Sequence, residues 1–188
     1  HPGHAVTGDV AVIGGGNSAM DAAVIVKRRG ACDVYLLYRR SWDQMPAWPE
    51  ERRGLLGAGV HLLVLAQPVG YVADDSGRLC GVRVTRTRLG EPDSSGRRRP
   101  VPVADSEFVL PVTLAVEALG ETLDEALSEV LAGVDLAGGV VQVDPATFAT
   151  TRPGVFAAGD LVNGGTTVAR ALAEGRQAGK AIDNLLRS

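Results

Sequence analysis

At 188 residues, 45% of them apolar, the chain is long enough to bury a real core and too apolar to be disordered. A net charge of −3 offers no large positive field, which excludes a nucleic-acid binder or a membrane-surface binder. The longest apolar run, Phe108 to Val116, is too short to span a bilayer and holds Pro111.

Val10 to Ile13 is a short apolar run ending at glycines, the pattern of a buried parallel strand. Ser18 to Arg29 reads as a helix, with Ala19, Ala22, Ala23 and Val26 on one face. Asp21 is expected in its first turn and Lys27, Arg28 and Arg29 in its last, as the helix dipole favours, and Gly30 stops it. Val34 to Tyr38 is a second strand and completes a β-α-β unit. Pro46 to Gly57 is expected to be a short helix and Val60 to Ala66 a strand. From Tyr71 the texture changes to short alternating runs, Gly81 to Arg88 and Val101 to Val109, parted by the polar hairpin tip GEPDSSGRRRP. This predicts an antiparallel ribbon appended to the parallel sheet. Thr113 to Ala118 is another strand, Leu123 to Leu131 a small helix, and Val140 to Val143 and Val155 to Ala158 two more strands. Thr166 to Leu186 is a long helix striped by Val168, Leu172, Gly175, Gly179, Ile182 and Leu186. Cys32 and Cys80 form neither a CxxC pair nor a metal set, so the chain reads as a reduced, cytoplasmic protein.

Two segments carry chemistry. In VAVIGGGNSAMDAA, Gly14, Gly16 and Ala19 fit G-x-G-x-x-A between a strand and a helix. The first glycine permits the tight turn, the second lets the backbone approach a pyrophosphate, and the small third residue lets helix and strand pack closely. The phosphates then rest on free N–H groups at the helix N-terminus. An NAD site wants an acid about 20 residues further on, for the ribose 2′-hydroxyl. This chain has YLLYRRS there, with Arg39 and Arg40 and no acid, which suits the 2′-phosphate of NADP. In TRPGVFAAGD a strand is expected to deliver Asp160 to its carboxyl end, with a helix starting a few residues later. An aspartate so placed can accept hydrogen bonds from a ribityl hydroxyl. The helix N-terminus can stabilise negative charge on a flavin, and Gly164 and Gly165 permit its close approach.

Together IGGGNSAMDAA, YRRSWDQMPA, ALGE and GVFAAGD…TTVARALAEGRQAG resemble the NADPH- and FAD-binding oxidoreductases of the glutamate synthase small-subunit type, which include the flavin portion of dihydropyrimidine dehydrogenase. The resemblance runs from Thr7 to Leu186. It implies an α/β fold: a Rossmann-like three-layer NAD(P)-binding domain with an antiparallel ribbon at 1–117, then the C-terminal portion of an FAD-binding domain at 118–188. It implies that Gly14, Gly15, Gly16, Asn17, Ser18 and Ala19 cradle NADPH phosphates, that Arg39 and Arg40 hold the 2′-phosphate, and that Gly159, Asp160, Gly165, Thr166 and Thr167 face FAD. Gly120 would lie in the turn passing near both cofactors; the amide usual after that glycine is here Glu121.

Complete members open with a further G-x-G-x-x-G turn for FAD and with cysteines for iron–sulfur clusters. Neither precedes Val10, so the chain is expected to be the C-terminal part of a longer flavoenzyme, partnered by an N-terminal flavin and iron–sulfur segment or subunit. The implied reaction is hydride transfer from NADPH to FAD, then electron transfer to an iron–sulfur partner. No side chain need act as acid or base, and no metal site is expected in this chain. The absent CxxC argues against the thioredoxin-reductase branch. A short-chain alcohol dehydrogenase needs Tyr-x-x-x-Lys, which Tyr35, Tyr38 and Tyr71 cannot form with Lys27 or Lys180. A non-catalytic NADP-binding module would keep the first loop but has no use for GVFAAGD.

Overall fold

A computed structural model describes residues 5–93, 96–120 and 130–187. The chain divides into two compact units, 1–120 and 121–188.

The first unit is built on a parallel sheet of β1 (Val10–Ile13), β2 (Val34–Tyr38), β3 (His61–Val64) and β8 (Leu114–Glu117), in the order β3-β2-β1-β8. β1 is buried throughout because it is covered on both faces. Val10 and Val12 face a helical layer with Ala19, Met20, Ala23 and Leu55. Ala11 and Ile13 face the other way, onto Ala66, Val82, Val84 and Leu110. The helical layer comprises α1 (Asn17–Arg28) and α2 (Pro49–Gly57). α1 starts at Asn17 with Gly16 as its cap, one residue before the expected start. Asp21 therefore stands in the second turn, not the first. Lys27 and Arg28 close the last turn, Arg29 is the cap, and Gly30 follows at φ +103. The helix expected over Pro46–Gly57 is shorter: a 3-10 turn at Trp42–Gln44 precedes it, and Pro49 occupies the first helical position.

The other layer is the antiparallel ribbon of β4 (Ala66–Ala73), β5 (Leu79–Pro92), β6 (Arg98–Pro102) and β7 (Phe108–Leu110), with β5 pairing to the other three. β5 is a 14-residue strand that buries Val82 and Val84 on one face, then Thr85 and Thr87 on the other. The expected hairpin tip GEPDSSGRRRP joins β5 to β6, and the two strands extend into it as far as the pair Pro92 and Arg98. The run Val60–Ala66 is not one strand either. Leu65, at φ +52, divides β3 of the parallel sheet from β4 of the ribbon.

The second unit holds a two-stranded hairpin, β9 (Leu136–Ala137) and β10 (Val140–Val141), then α3 (Asp160–Asn163) and α4 (Val168–Arg187). The strand expected over Val140–Val143 keeps its first two residues, and Val143 makes a single bridge to Thr150. Val155–Ala158 is not a strand: only Phe156 bridges, to Ala149. The helix expected at Leu123–Leu131 lies, apart from its last two residues, outside the described residues. No helix among the described residues is long and apolar enough to cross a membrane.

Candidate functional site

β1 and β8 run side by side, yet β8 follows the whole ribbon in sequence while β2 follows α1 directly. β2 and β8 thus flank β1 on opposite sides, a switch point in strand order, and in open α/β sheets ligands bind outside the carboxyl ends of the strands at such a point. Ile13 and Glu117 end β1 and β8 in register. The glycine loop lies at that edge. Gly14 has φ +152, and a methyl on it would overlap the Ala118 carbonyl oxygen and come within 3.0 Å of the Ala19 side chain. Gly15 is closed from below by the ring of Tyr38. Gly16 is different: nothing lies within 4 Å of where its side chain would begin. No side-chain hydrogen bond caps α1 at Gly16. The loop therefore presents open space over the amides that begin a helix, the geometry that favours an anion.

The segment after β2 braces this loop. Tyr38 donates its hydroxyl to the Gln44 carbonyl at 2.7 Å. The Ala47 N–H donates to the Gly15 carbonyl at 3.1 Å, and the Trp48 N–H to Asn17 Oδ1 at 3.0 Å. Asn17 thus anchors the loop with its side chain, while Ser18 is exposed at the start of the helix. The Ala47 and Trp48 contacts carry no short-range sequence signal, because they join residues about 30 apart in sequence.

The two arginines at the end of β2 point to different environments. Arg39 is exposed, and its guanidinium has no hydrogen-bond or ion-pair partner among the described residues. Arg40 is only 8% exposed, and its Nε donates to the Arg98 carbonyl at 2.9 Å. One of its donors is therefore committed to β6. Gly120, at φ +88, ends the unit in open space. At the end of β8, Glu117 accepts a hydrogen bond from the Tyr71 hydroxyl. That bond, followed by partial burial, pushes the Tyr71 pKa up to about 12.

In the second unit the turn before α3 is organised by one residue the sequence reading did not single out, Glu174 of α4. Its Oε2 accepts from the Gly159 N–H and from Asn163 Nδ2, both at 2.9 Å, and its Oε1 accepts from Arg170 Nε at 2.8 Å. The Arg170 guanidinium, helped by the Gly159 and Asn163 donors, holds this carboxyl below its ordinary pKa. Gly159 takes φ +73, which glycine adopts without penalty, and so Asp160 is left exposed at the head of α3. The Asp160 carboxylate has no hydrogen-bond or ion-pair partner among the described residues. It lies 3.8 Å from where a side chain on Gly165, φ +90, would begin. Thr166 is exposed, and Thr167 accepts the Arg170 N–H at 3.2 Å as a cap for α4. Apart from Arg170 one helical turn away, the partners of Glu174 are 11 and 15 residues away, which hides its role in the turn from sequence reasoning.

Comparison with known proteins follows this geometry. Residues 3–175 match the pyridine nucleotide-disulphide oxidoreductase family. The chain is 48% identical over 178 residues to the NADP(+)-dependent formate dehydrogenase subunit beta of Moorella thermoacetica, covering 95% of this chain and 25% of that protein. It is 36% identical to the glutamate synthase [NADPH] small chain of Escherichia coli K12, covering 94% of this chain and 38% of that one. Among solved structures, thioredoxin reductase of T. acidophilum superposes with a TM-score of 0.75 at 21% identity, over 96% of this chain and 53% of that one. FprA of Mycobacterium tuberculosis in complex with NADPH superposes with a TM-score of 0.65 at 17% identity, over 96% and 52%. These two establish a shared fold. The chain thus spans between a quarter and two-fifths of the two sequence relatives.

Proposed function

This chain belongs to the pyridine nucleotide-disulphide oxidoreductase family, and we propose that its first unit binds NADPH and its second closes an FAD site, within a longer NADPH-dependent flavin oxidoreductase. The observation that carries this reading is the pairing of an open glycine loop at Gly16 with an exposed, unpartnered Arg39 at the end of β2. An NAD site would put a carboxylate at that place; a 2′-phosphate calls for a guanidinium. When bound, NADPH supplies a hydride and FAD takes it up. The chain's own residues bind and orient. The amides following Gly16 hold the pyrophosphate, Asn17 keeps the loop fixed through Trp48, and Arg39 neutralises the 2′-phosphate. Arg40, with its Nε held by Arg98, is a fixed second charge beside it.

The residues of the second unit fit a flavin in the same sense. An exposed carboxylate at Asp160 is an acceptor awaiting a hydroxyl. Gly165 leaves room beside it, and Glu174 keeps Gly159 in the conformation that exposes Asp160. Thr166 and Thr167 border the same turn. No side chain has to move a proton. Electrons then pass to an iron–sulfur partner carried on another segment or subunit, in the reducing cytoplasm that suits two free, exposed cysteines. A module that only senses NADP has no use for the turn held by Glu174.

Calorimetry with NADPH and NADH tests the reading. A hydrogen bond to a charged group contributes roughly 1.5–3 kcal/mol, so Arg39→Ala should weaken NADPH by about tenfold to a hundredfold and leave NADH nearly unchanged. Equal affinity of the unaltered chain for both nucleotides would overturn it.

A further inference from the structure

The backbone that carries Arg39 and Arg40 is not held by the parallel sheet alone. Past Tyr38 the chain leaves β2, and the ribbon takes over. Thr87 of β5, only 5% exposed, donates its hydroxyl to the Arg39 carbonyl at 2.7 Å. The Arg40 carbonyl accepts the Leu65 N–H at 3.0 Å, and the Leu65 carbonyl accepts the Thr87 N–H at 2.9 Å. Arg40 Nε closes the network on the Arg98 carbonyl of β6. Leu65 holds φ +52 at its centre, a left-handed conformation that a leucine keeps only where its surroundings impose it.

Thr87 is an unexpected choice for this place. It lies in the buried part of β5, where a valine would fill similar space without a hydroxyl to bury. What the hydroxyl adds is one bond, to the carbonyl of Arg39. That bond fixes the peptide plane after Arg39, and with it the direction in which the side chain leaves the backbone. A guanidinium already aimed loses less freedom on gripping a phosphate.

We infer that Thr87, with the β5–β6 hairpin behind it, is a positioning residue that aims Arg39 at the 2′-phosphate, so that the ribbon sets the preference for NADPH over NADH. The inference rests on Arg39 being the 2′-phosphate ligand.

The test measures NADPH and NADH affinities of the full chain by calorimetry for Thr87→Val, Thr87→Ala and Thr87→Ser, each also combined with Arg39→Ala. Loss of one neutral hydrogen bond predicts that Thr87→Val and Thr87→Ala weaken NADPH by about three- to tenfold, with NADH held within about twofold. Thr87→Ser keeps the hydroxyl and should restore the original ratio. In the Arg39→Ala background none of the three should change NADPH further, because residues acting through one contact do not add. An equal loss for both nucleotides would reduce Thr87 to a scaffold residue and overturn the inference. So would a loss that persists in the Arg39→Ala background, or an NADPH affinity that falls with Arg39→Ala and stays put with Thr87→Val and Thr87→Ala. If Arg39→Ala itself leaves NADPH affinity unchanged, the 2′-phosphate reading fails first and takes this one with it.

Discussion

Gly14 and Gly16 stand two residues apart in one loop, and the structure assigns them opposite jobs that a pair of alanine substitutions separates. At Gly14 a methyl group overlaps the Ala118 carbonyl oxygen, and the residue sits at φ +152. The obstacle is backbone, which cannot swing aside as a side chain can. Roughly 1–2 kcal/mol for the conformation and 1–3 kcal/mol for the overpacking give a loss of about 2–5 kcal/mol for Gly14→Ala. At about 2–4 °C per kcal/mol for a chain of this size, the melting temperature should fall by about 5–20 °C. At Gly16 the backbone is extended, φ −88 and ψ 175, and nothing lies within 4 Å of the added methyl. Alanine is a poorer helix cap than glycine, so Gly16→Ala should cost about 0.5–1 kcal/mol, under about 4 °C. The same methyl takes the space a pyrophosphate needs over the first helical amides. Loss of one charge-assisted bond there weakens NADPH by roughly tenfold to a hundredfold. Scanning fluorimetry and calorimetry on the two variants read both quantities. If Gly16→Ala binds NADPH as the unaltered chain does, the open space is not a phosphate cradle. If Gly14→Ala melts with the unaltered chain, the contact with β8 is not what demands glycine.

In the proposed longer flavoenzyme, Asp160→Ala should lower FAD content while NADPH affinity, proposed to rest on the first unit, stays the same; unchanged flavin content would make Asp160 a turn residue only. Tyr71 should ionise near pH 12, because its hydroxyl donates a hydrogen bond to Glu117. Its pKa in the folded chain lies above the ordinary 10.0, so the bond's contribution to stability is complete below pH 10 and is lost as pH rises toward about 12. Alkaline titration of phenolate absorbance checks this, and a curve that Tyr71→Phe leaves unaltered would refute it.

Much of this architecture could be read from the chain because single residues had only one way to satisfy their surroundings. The apolar run Val34–Tyr38 is bounded by its neighbours in composition, and the strand matches it at both ends. The glycine loop announced itself because Gly14 meets backbone that no side chain could displace, while Gly16 leaves the helix start uncovered. What escaped was decided by residues distant in sequence. HLLVLA looks like one strand, yet Leu65 in a left-handed conformation splits it between two sheets, and nothing about leucine signals that. GEPDSSGRRRP reads as a hairpin tip and does join β5 to β6, but the strands reach further into it than its polar residues suggest, since an exposed two-stranded arm needs backbone partners and not an apolar face. Val155–Ala158 has strand composition but only one bridging partner, at Phe156. At the candidate site, Gly, Arg and Asp could be singled out from the chain, while the contacts behind them could not: Tyr38 under Gly15, Thr87 behind Arg39, and Glu174 behind Gly159.

α4 bears on how the proposed flavin site would be completed. Of its 20 residues only Ala178 is buried, while Val168 is 87% and Leu186 79% exposed, and Leu172 lies between them on the predicted stripe. Gly175 and Gly179 fall on that stripe with nothing within 4 Å of where their side chains would begin. Two glycines inside a helix cost about 2 kcal/mol relative to alanine. Nothing described in this chain uses the clearance they provide. Such a cost is recovered when a backbone or a flat ring system lies directly on the helix, which an alanine methyl would hold off. The stripe begins just after Thr166 and Thr167 and continues past Glu174, the residue that shapes the Asp160 turn. The stripe thus sets Gly175 and Gly179 in the middle of an exposed apolar face. In relatives more than twice as long as this chain, the polypeptide outside the matched region has the length to cover such a face.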